Sequence, residues 1–201
     1  MSVRWTDERG AGLIVWAMLS LPILMLFALG AADVGTAYKV QSDLRYALET
    51  ALDQAAQQVV ASDLTYTYDG PAQVGMTRQT VMLDRAKATS AFFSAFATAL
   101  GDPACGSYWL SCLPNQGPNG PFAGPVQVTD FEVYNTEQLV QPAAGGEPYG
   151  TATTLLGTLD PSGTVVDRPS VYAHILAPIR LPNGQVITMN LFQVVGANPA
   201  S

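Results

Sequence analysis

Histidine occurs once, cysteine twice, and charged side chains make up only 12% of the 201 residues. One imidazole and two thiols cannot supply the four His and Cys ligands of a closed zinc centre. A basic excess is missing as well: nine Lys and Arg stand against 16 Asp and Glu, a net charge of −7. Without a positive stripe the chain cannot follow a phosphate backbone, so no nucleic-acid partner is expected. No glycine-rich phosphate loop and no nucleophile-elbow pentapeptide occurs. With hydrophobic residues at 48%, an intrinsically disordered chain is also excluded. The composition predicts a protein that is not an enzyme, needs no cofactor or metal, and has ample apolar material to bury.

Charge is absent altogether from Gly10 to Ala32. A hydrocarbon core of about 30 Å needs about 20 apolar residues in a helix, and this run supplies them. It shows no polar face of the kind a soluble helix keeps. The reading is a cytoplasmic segment over 1–9 and a single transmembrane helix over 10–32. A cleaved secretory signal is the rival, with Arg4 and Arg9 as its basic region and Ala28-Leu29-Gly30 as a cleavage site. Signal cores of about 7–15 residues are shorter than this run. Arg4 and Arg9 favour a cytoplasmic N-terminus, while Lys39 and Arg45 beyond the far end pull the other way. Under either reading the rest of the chain is exported. Cys105 and Cys112 bracket Gly-Ser-Tyr-Trp-Leu-Ser within a longer loop rich in Gly, Pro and Asn, a spacing that closes readily as a disulfide in an oxidising compartment; two unpaired thiols are the alternative.

Residues 33–61 read as an extension of the N-terminal helix. Val34, Ala37, Leu44, Leu48, Leu52 and Val59 recur at helical steps, with Gln41, Arg45, Glu49 and Asp53 opposite. Pro22 removes one backbone hydrogen bond and predicts a kink inside the membrane. Gly30 and Gly35 soften the outer end. Asp63 to Gly75 reads as a turn-rich connection. A second amphipathic helix runs from Thr77 to about Leu100, with Phe92, Phe93 and Phe96 inward and Arg78, Asp84, Arg85 and Lys87 outward; Gly101-Asp102-Pro103 stops it. Residues 101–125, with five prolines and five glycines, form a long loop. Strands follow. Val126 and Val128 alternate with polar residues, then the apolar phase shifts to Phe131 and Val133. Two later runs, Val171–Arg180 and Gln185–Val195, flank Leu181-Pro182-Asn183-Gly184, a hairpin signal. The expected fold is α+β: a long helix, a second helix and a C-terminal antiparallel sheet, with an exported head over 62–201.

The chemically suggestive residues have plainer readings. His174 shares a strand face with Tyr172, Leu176 and Arg180, and a base there would need a nucleophile and a carboxylate beside it. Asp160-Pro161-Ser162-Gly163-Thr164 matches the Asp-x-Ser-x-Thr form of a cation-binding adhesion site, yet Pro-Ser-Gly is ordinary turn chemistry. Asp130 and Glu132 share one strand face and read as a solvated surface.

Four stretches carry a resemblance. Asp7–Ala11, Trp16–Pro22, Gly30–Gly35 with Asp33 inside it, and Leu44–Ala56 resemble the TadE/TadG-like pseudopilins of tight-adherence (Flp-type) pilus systems. The resemblance covers about residues 7–60. It implies a pilin-like fold and a minor pilin or membrane-anchored structural component of a type IV-like pilus. The implied location is the bacterial inner membrane, with the C-terminal domain periplasmic or, within the pilus, extracellular. The implied partners are other pilin or pseudopilin subunits, the pilus assembly machinery and membrane lipid. Gly10 and Gly12 stand where such proteins are processed. Prepilin-type members carry a glutamate five residues after the processing glycine; here that position is Val15, or Ala17 counted from Gly12. The departure favours a minor or tip subunit, or an uncleaved anchored protein similar to TadG.

The expected assembly helix carries Gly12, Trp16, Pro22, Gly30, Asp33, Gly35, Leu44, Leu48 and Leu52, its small residues allowing close helix approach in lipid. An anchored periplasmic binding module or adhesin outside any filament is the alternative, and an exported hydrolase using His174 a third.

Overall fold

A computed structural model describes residues 7–59, 82–102, 105, 111–114, 120–136 and 152–197, with side chains from residue 15 onward. The segments expected as a turn-rich connection (63–75) and as the first turns of the second helix (77–81) lie outside the described residues.

Helix α1, Asp7–Ala56, is 50 residues long and contains Pro22. At 1.5 Å per residue it measures about 75 Å. It ends earlier than the periodicity predicts. Past Ala56 the backbone turns out of the helix, and Val59 forms an antiparallel bridge with Leu83. The N–H of Asp84 donates to the Gln58 carbonyl at 2.8 Å. A strand-like contact to the start of α2 thus replaces the helical continuation. Helix α2, Arg85–Ala99, starts at Asp84, whose carboxylate accepts from the Lys87 N–H. It ends at Leu100, and Gly101 follows at φ 79°, a left-handed conformation that glycine adopts without a Cβ penalty.

The sheet comprises β1 (Ser111–Cys112), β2 (Val126–Asn135), β3 (Thr154–Leu155), β4 (Ser170–Arg180) and β5 (Val186–Gly196). Its order is β1-β2-β4-β5, antiparallel throughout, with the two-residue β3 parallel to β2 at Tyr134 and Asn135. The apolar phase shift in β2 has a structural cause: the β2–β4 register slips between Val128 and Asp130, a bulge at Thr129. The extra residue puts Val126, Val128, Phe131 and Val133 all on the buried face despite their uneven spacing. Gly184, at φ 86°, donates to the Leu181 carbonyl, and Leu181 donates to Gln185. The hairpin therefore turns through Pro182-Asn183-Gly184, a type of connection closed by a left-handed glycine.

One core joins these elements. Val40, Leu44, Leu48, Ala51, Leu52 and Ala55 of α1 pack with Phe92, Phe93 and Phe96 of α2 against Phe131, Val133, Ala173, Ile175 and Ile179 of the sheet. The Phe92 ring lies 5.0 Å from Phe131 and 5.1 Å from Phe93, distances at which aromatic pairs contribute about 1 kcal/mol beyond their area.

Two expectations are corrected here. Leu44, Leu48 and Leu52 were assigned to a surface for neighbouring subunits, but they are 2%, 0% and 0% exposed within the chain's own head. The apolar stripe of 40–56 finds its cover in α2 and the sheet. Arg85, expected outside, is buried. Asn135 explains its position: its side-chain amide accepts from the Leu83 N–H at 2.9 Å and donates to the Leu83 carbonyl at 3.0 Å. This draws the first turn of α2 onto the end of β2 and takes residue 85 out of solvent.

Candidate functional site

The clearest feature is the division of α1. From Val15 to Leu29 the helix is bare: Trp16 is 75% exposed, Phe27 74% and Leu26 70%. A soluble helix does not leave so continuous an apolar surface in water. The segment is long and apolar enough to cross a membrane, and none of its most apolar window is buried by the rest of the chain. Pro22 sits within it without ending the helix. Gly10 and Gly12 fall within α1, in the stretch before the described side chains.

At the outer end of this rod, Gly30 and Gly35 line a shallow concavity with Leu26, Phe27, Ala31, Val34 and Tyr38. A Cβ placed on either glycine would meet nothing within 4 Å. The glycines therefore do not accommodate another part of this head; the groove they form is open. Asp33 lies between them, and its Oδ1 accepts the backbone N–H of Asn183 at 3.0 Å. This contact joins the rod to the β4–β5 hairpin at the point where α1 first meets the head.

Cys105 and Cys112 are joined in a disulfide, with their Cα atoms 6.0 Å apart. Cys112 pairs with Val126 as β1, so the bond ties the loop after α2 to the edge of β2. Asp102 lies beside both sulfurs, but sulfurs bonded to each other offer no thiolate to a metal.

His174 lies on the sheet face opposite the helices. Its Nδ1 is 2.7 Å from Thr129 Oγ1 and its Nε2 is 2.5 Å from Asn190 Oδ1. The bulge places Thr129 there. The order hydroxyl, imidazole, amide has the form of a nucleophile, base and orienting group. However, the Thr129 hydroxyl also lies 3.2 Å from the His174 carbonyl oxygen, and the ring rests edge-on to Phe192 on an open sheet surface. A concavity beside it takes in Phe192 but none of His174, Thr129 and Asn190. The arrangement ties three strands together.

The Asp160 motif is a turn. Asp160 Oδ1 accepts from Ser162 Oγ at 2.6 Å and from the Thr164 N–H at 2.7 Å, and the Asp160 N–H donates to the Thr164 carbonyl at 2.8 Å. Burial pushes the carboxyl upward, but these bonds, with those from the Ser162 and Gly163 backbone, outweigh it and hold Asp160 below the usual carboxylate range. Oδ1 of Asp160 is thus engaged within the turn itself.

On the same outer face, Tyr134 and Tyr172 pack with Val166. Burial, reinforced by the negative charges of Asp130, Asp160 and Glu132, pushes the Tyr172 hydroxyl up to about 12. Burial and then the Glu132 carboxylate hold Tyr134 higher still. Both phenols stay neutral, as packing residues do.

No family model matches this chain, and no curated protein or solved structure matches it. Sequence reasoning missed Asn183 as the partner of Asp33, and Thr129 and Asn190 as the partners of His174. Only the bulge, visible as a shifted apolar phase, hinted at any of them.

Proposed function

We propose that this chain is a membrane-anchored structural subunit, a pilin-like minor component of a tight-adherence pilus of the TadE/TadG type. It assembles sideways through the bare part of α1, residues 15–32, and carries its α+β head on the outer side of a bacterial inner membrane. It acts as neither an enzyme nor a nucleic-acid binder. One observation carries this reading: α1 is core over its C-terminal third and wholly uncovered over the apolar run before it. Lipid or like helices are the surroundings in which such a surface is stable. The disulfide supports an oxidising compartment for the head.

The open groove at Gly30 and Gly35 allows a neighbouring helix to approach closely. Val15, in place of the family's glutamate, favours a minor or tip position over a repeating one. The test is purification of filaments from cells carrying a tagged full-length chain. Co-purification of the chain with the filament or its assembly apparatus, and loss of pili on deletion, are expected. Recovery as a lone membrane monomer, with pili intact after deletion, overturns the proposal in favour of an anchored binding module. The intact mass of the mature protein distinguishes full length from cleavage after Gly10, Gly12 or near Gly30.

A further inference from the structure

We infer that the tip of the β4–β5 hairpin, residues 180–187, rests in the lipid headgroup layer of the membrane that α1 enters. The inference builds on the anchor reading above and adds a second point of membrane contact.

Three observations place it there. Asp33 is the first charged residue after the uncharged run of 10–32, so a helix that buries this run holds Asp33 at the polar boundary. Asn183, at the apex of the hairpin, is bonded to Asp33. The hairpin apex therefore sits at the same depth as that boundary. Arg180 and Val186 are register partners three residues from Asn183 on either side. At about 3.3 Å per residue they lie within about 10 Å of the apex, and the interfacial layer is about 5–7 Å deep on each side of the hydrocarbon. The long Arg180 side chain can bridge the remaining distance.

The surface chemistry matches a headgroup layer. Val186 is 55% exposed and Ile187 37%, on opposite faces of the strand, where apolar groups gain by partial immersion. Arg180, exposed, supplies a cation for lipid phosphate. From Arg168 to Ser201 the chain has no Asp or Glu, although its net charge is negative. The sheet's acids are at the other end: Asp130 pairs with His174 and Glu132 with Tyr172, about 20–26 Å from Arg180 along β4. A partly apolar end whose only acid is Asp33, already engaged by the Asn183 N–H, faces the bilayer, and the strands' acidic end is turned away, which limits repulsion by anionic lipid.

The experiment uses the full-length chain in vesicles of phosphatidylcholine and phosphatidylglycerol. The native cysteines are tied up, so a single introduced cysteine takes the fluorophore. Labels at V186C and Q185C probe the hairpin, L159C the head away from it, and F27C the rod. Lipids carry a nitroxide either on the headgroup or at mid-chain. The headgroup nitroxide is expected to quench V186C and Q185C roughly twofold or more over L159C, and the mid-chain nitroxide to quench F27C. Quenching of F27C with both hairpin labels at the level of L159C overturns the hairpin contact and leaves the anchor standing. Hairpin labels shielded from aqueous iodide yet unquenched by lipid assign the surface to a protein neighbour and overturn the inference. An unquenched F27C overturns the anchor and the hairpin contact together.

Discussion

The backbone N–H of Asn183 donates to Oδ1 of Asp33 at 3.0 Å across 150 residues of chain. It is the outermost tie between the rod and the head. Beyond it α1 is bare, and below it Val40 begins the core. Because this hydrogen bond is exposed, it contributes only about 1 kcal/mol. Asp33→Ala should leave global stability nearly unchanged while speeding amide exchange at Asn183 roughly fivefold. Unchanged exchange there would mean the tie is not populated in solution.

The two parts of α1 should respond oppositely to truncation. Leu48 is fully buried among α2 and sheet residues, so Leu48→Ala should cost about 2–5 kcal/mol. Leu24 is 66% exposed, and Leu24→Ala should change head stability by no more than about 0.5 kcal/mol. Chemical denaturation in mild detergent, followed by near-ultraviolet circular dichroism, compares the two.

The disulfide closes a short loop, with a sequence separation of 7. Chain-entropy arguments give about 2–3 kcal/mol for a loop of this size. The paired replacement C105S/C112S should lower the denaturation midpoint accordingly. It should also raise amide exchange in β1 more than in β4, since β1 rests on Cys112.

Asp160 links the 160–164 turn to pH. Its carboxyl is held below the ordinary range in the folded chain, so the ionised form is favoured by folding. The stabilisation is present in full above the unfolded-state value of about 3.9 and is lost as the pH falls through the lower folded-state value. Asp160→Asn should cost about 1–2 kcal/mol at neutral pH, and the gap from the parent should close below about pH 4. A gap constant with pH would show that the charge is not what the turn requires.

Local pattern revealed a good deal of this molecule. An uncharged run of membrane length, helical periodicity in two segments and alternation in the last strands yield the order helix, helix, antiparallel sheet. The shifted phase between Val128 and Phe131 reveals the bulge, because strand alternation leaves no other way to bury both sets. Pro182-Asn183-Gly184 marks the hairpin, since few residues besides glycine take the conformation at position 184.

What periodicity could not tell is what covers each apolar stripe. Leu44, Leu48 and Leu52 have the same spacing whether they face a neighbour or their own sheet, and only the packed head shows that α2 and β4 fill that side. Arg85 reads as surface until Leu83 and Asn135 are seen to pull its turn inward. The Asp33–Asn183 tie joins residues that no local rule connects. Hydrophobic spacing along the chain determines which elements form and which face is apolar, because those depend on neighbours a few residues away. Which apolar face meets which, and where the rod breaks free of the head, was decided only when distant segments competed to exclude the same water.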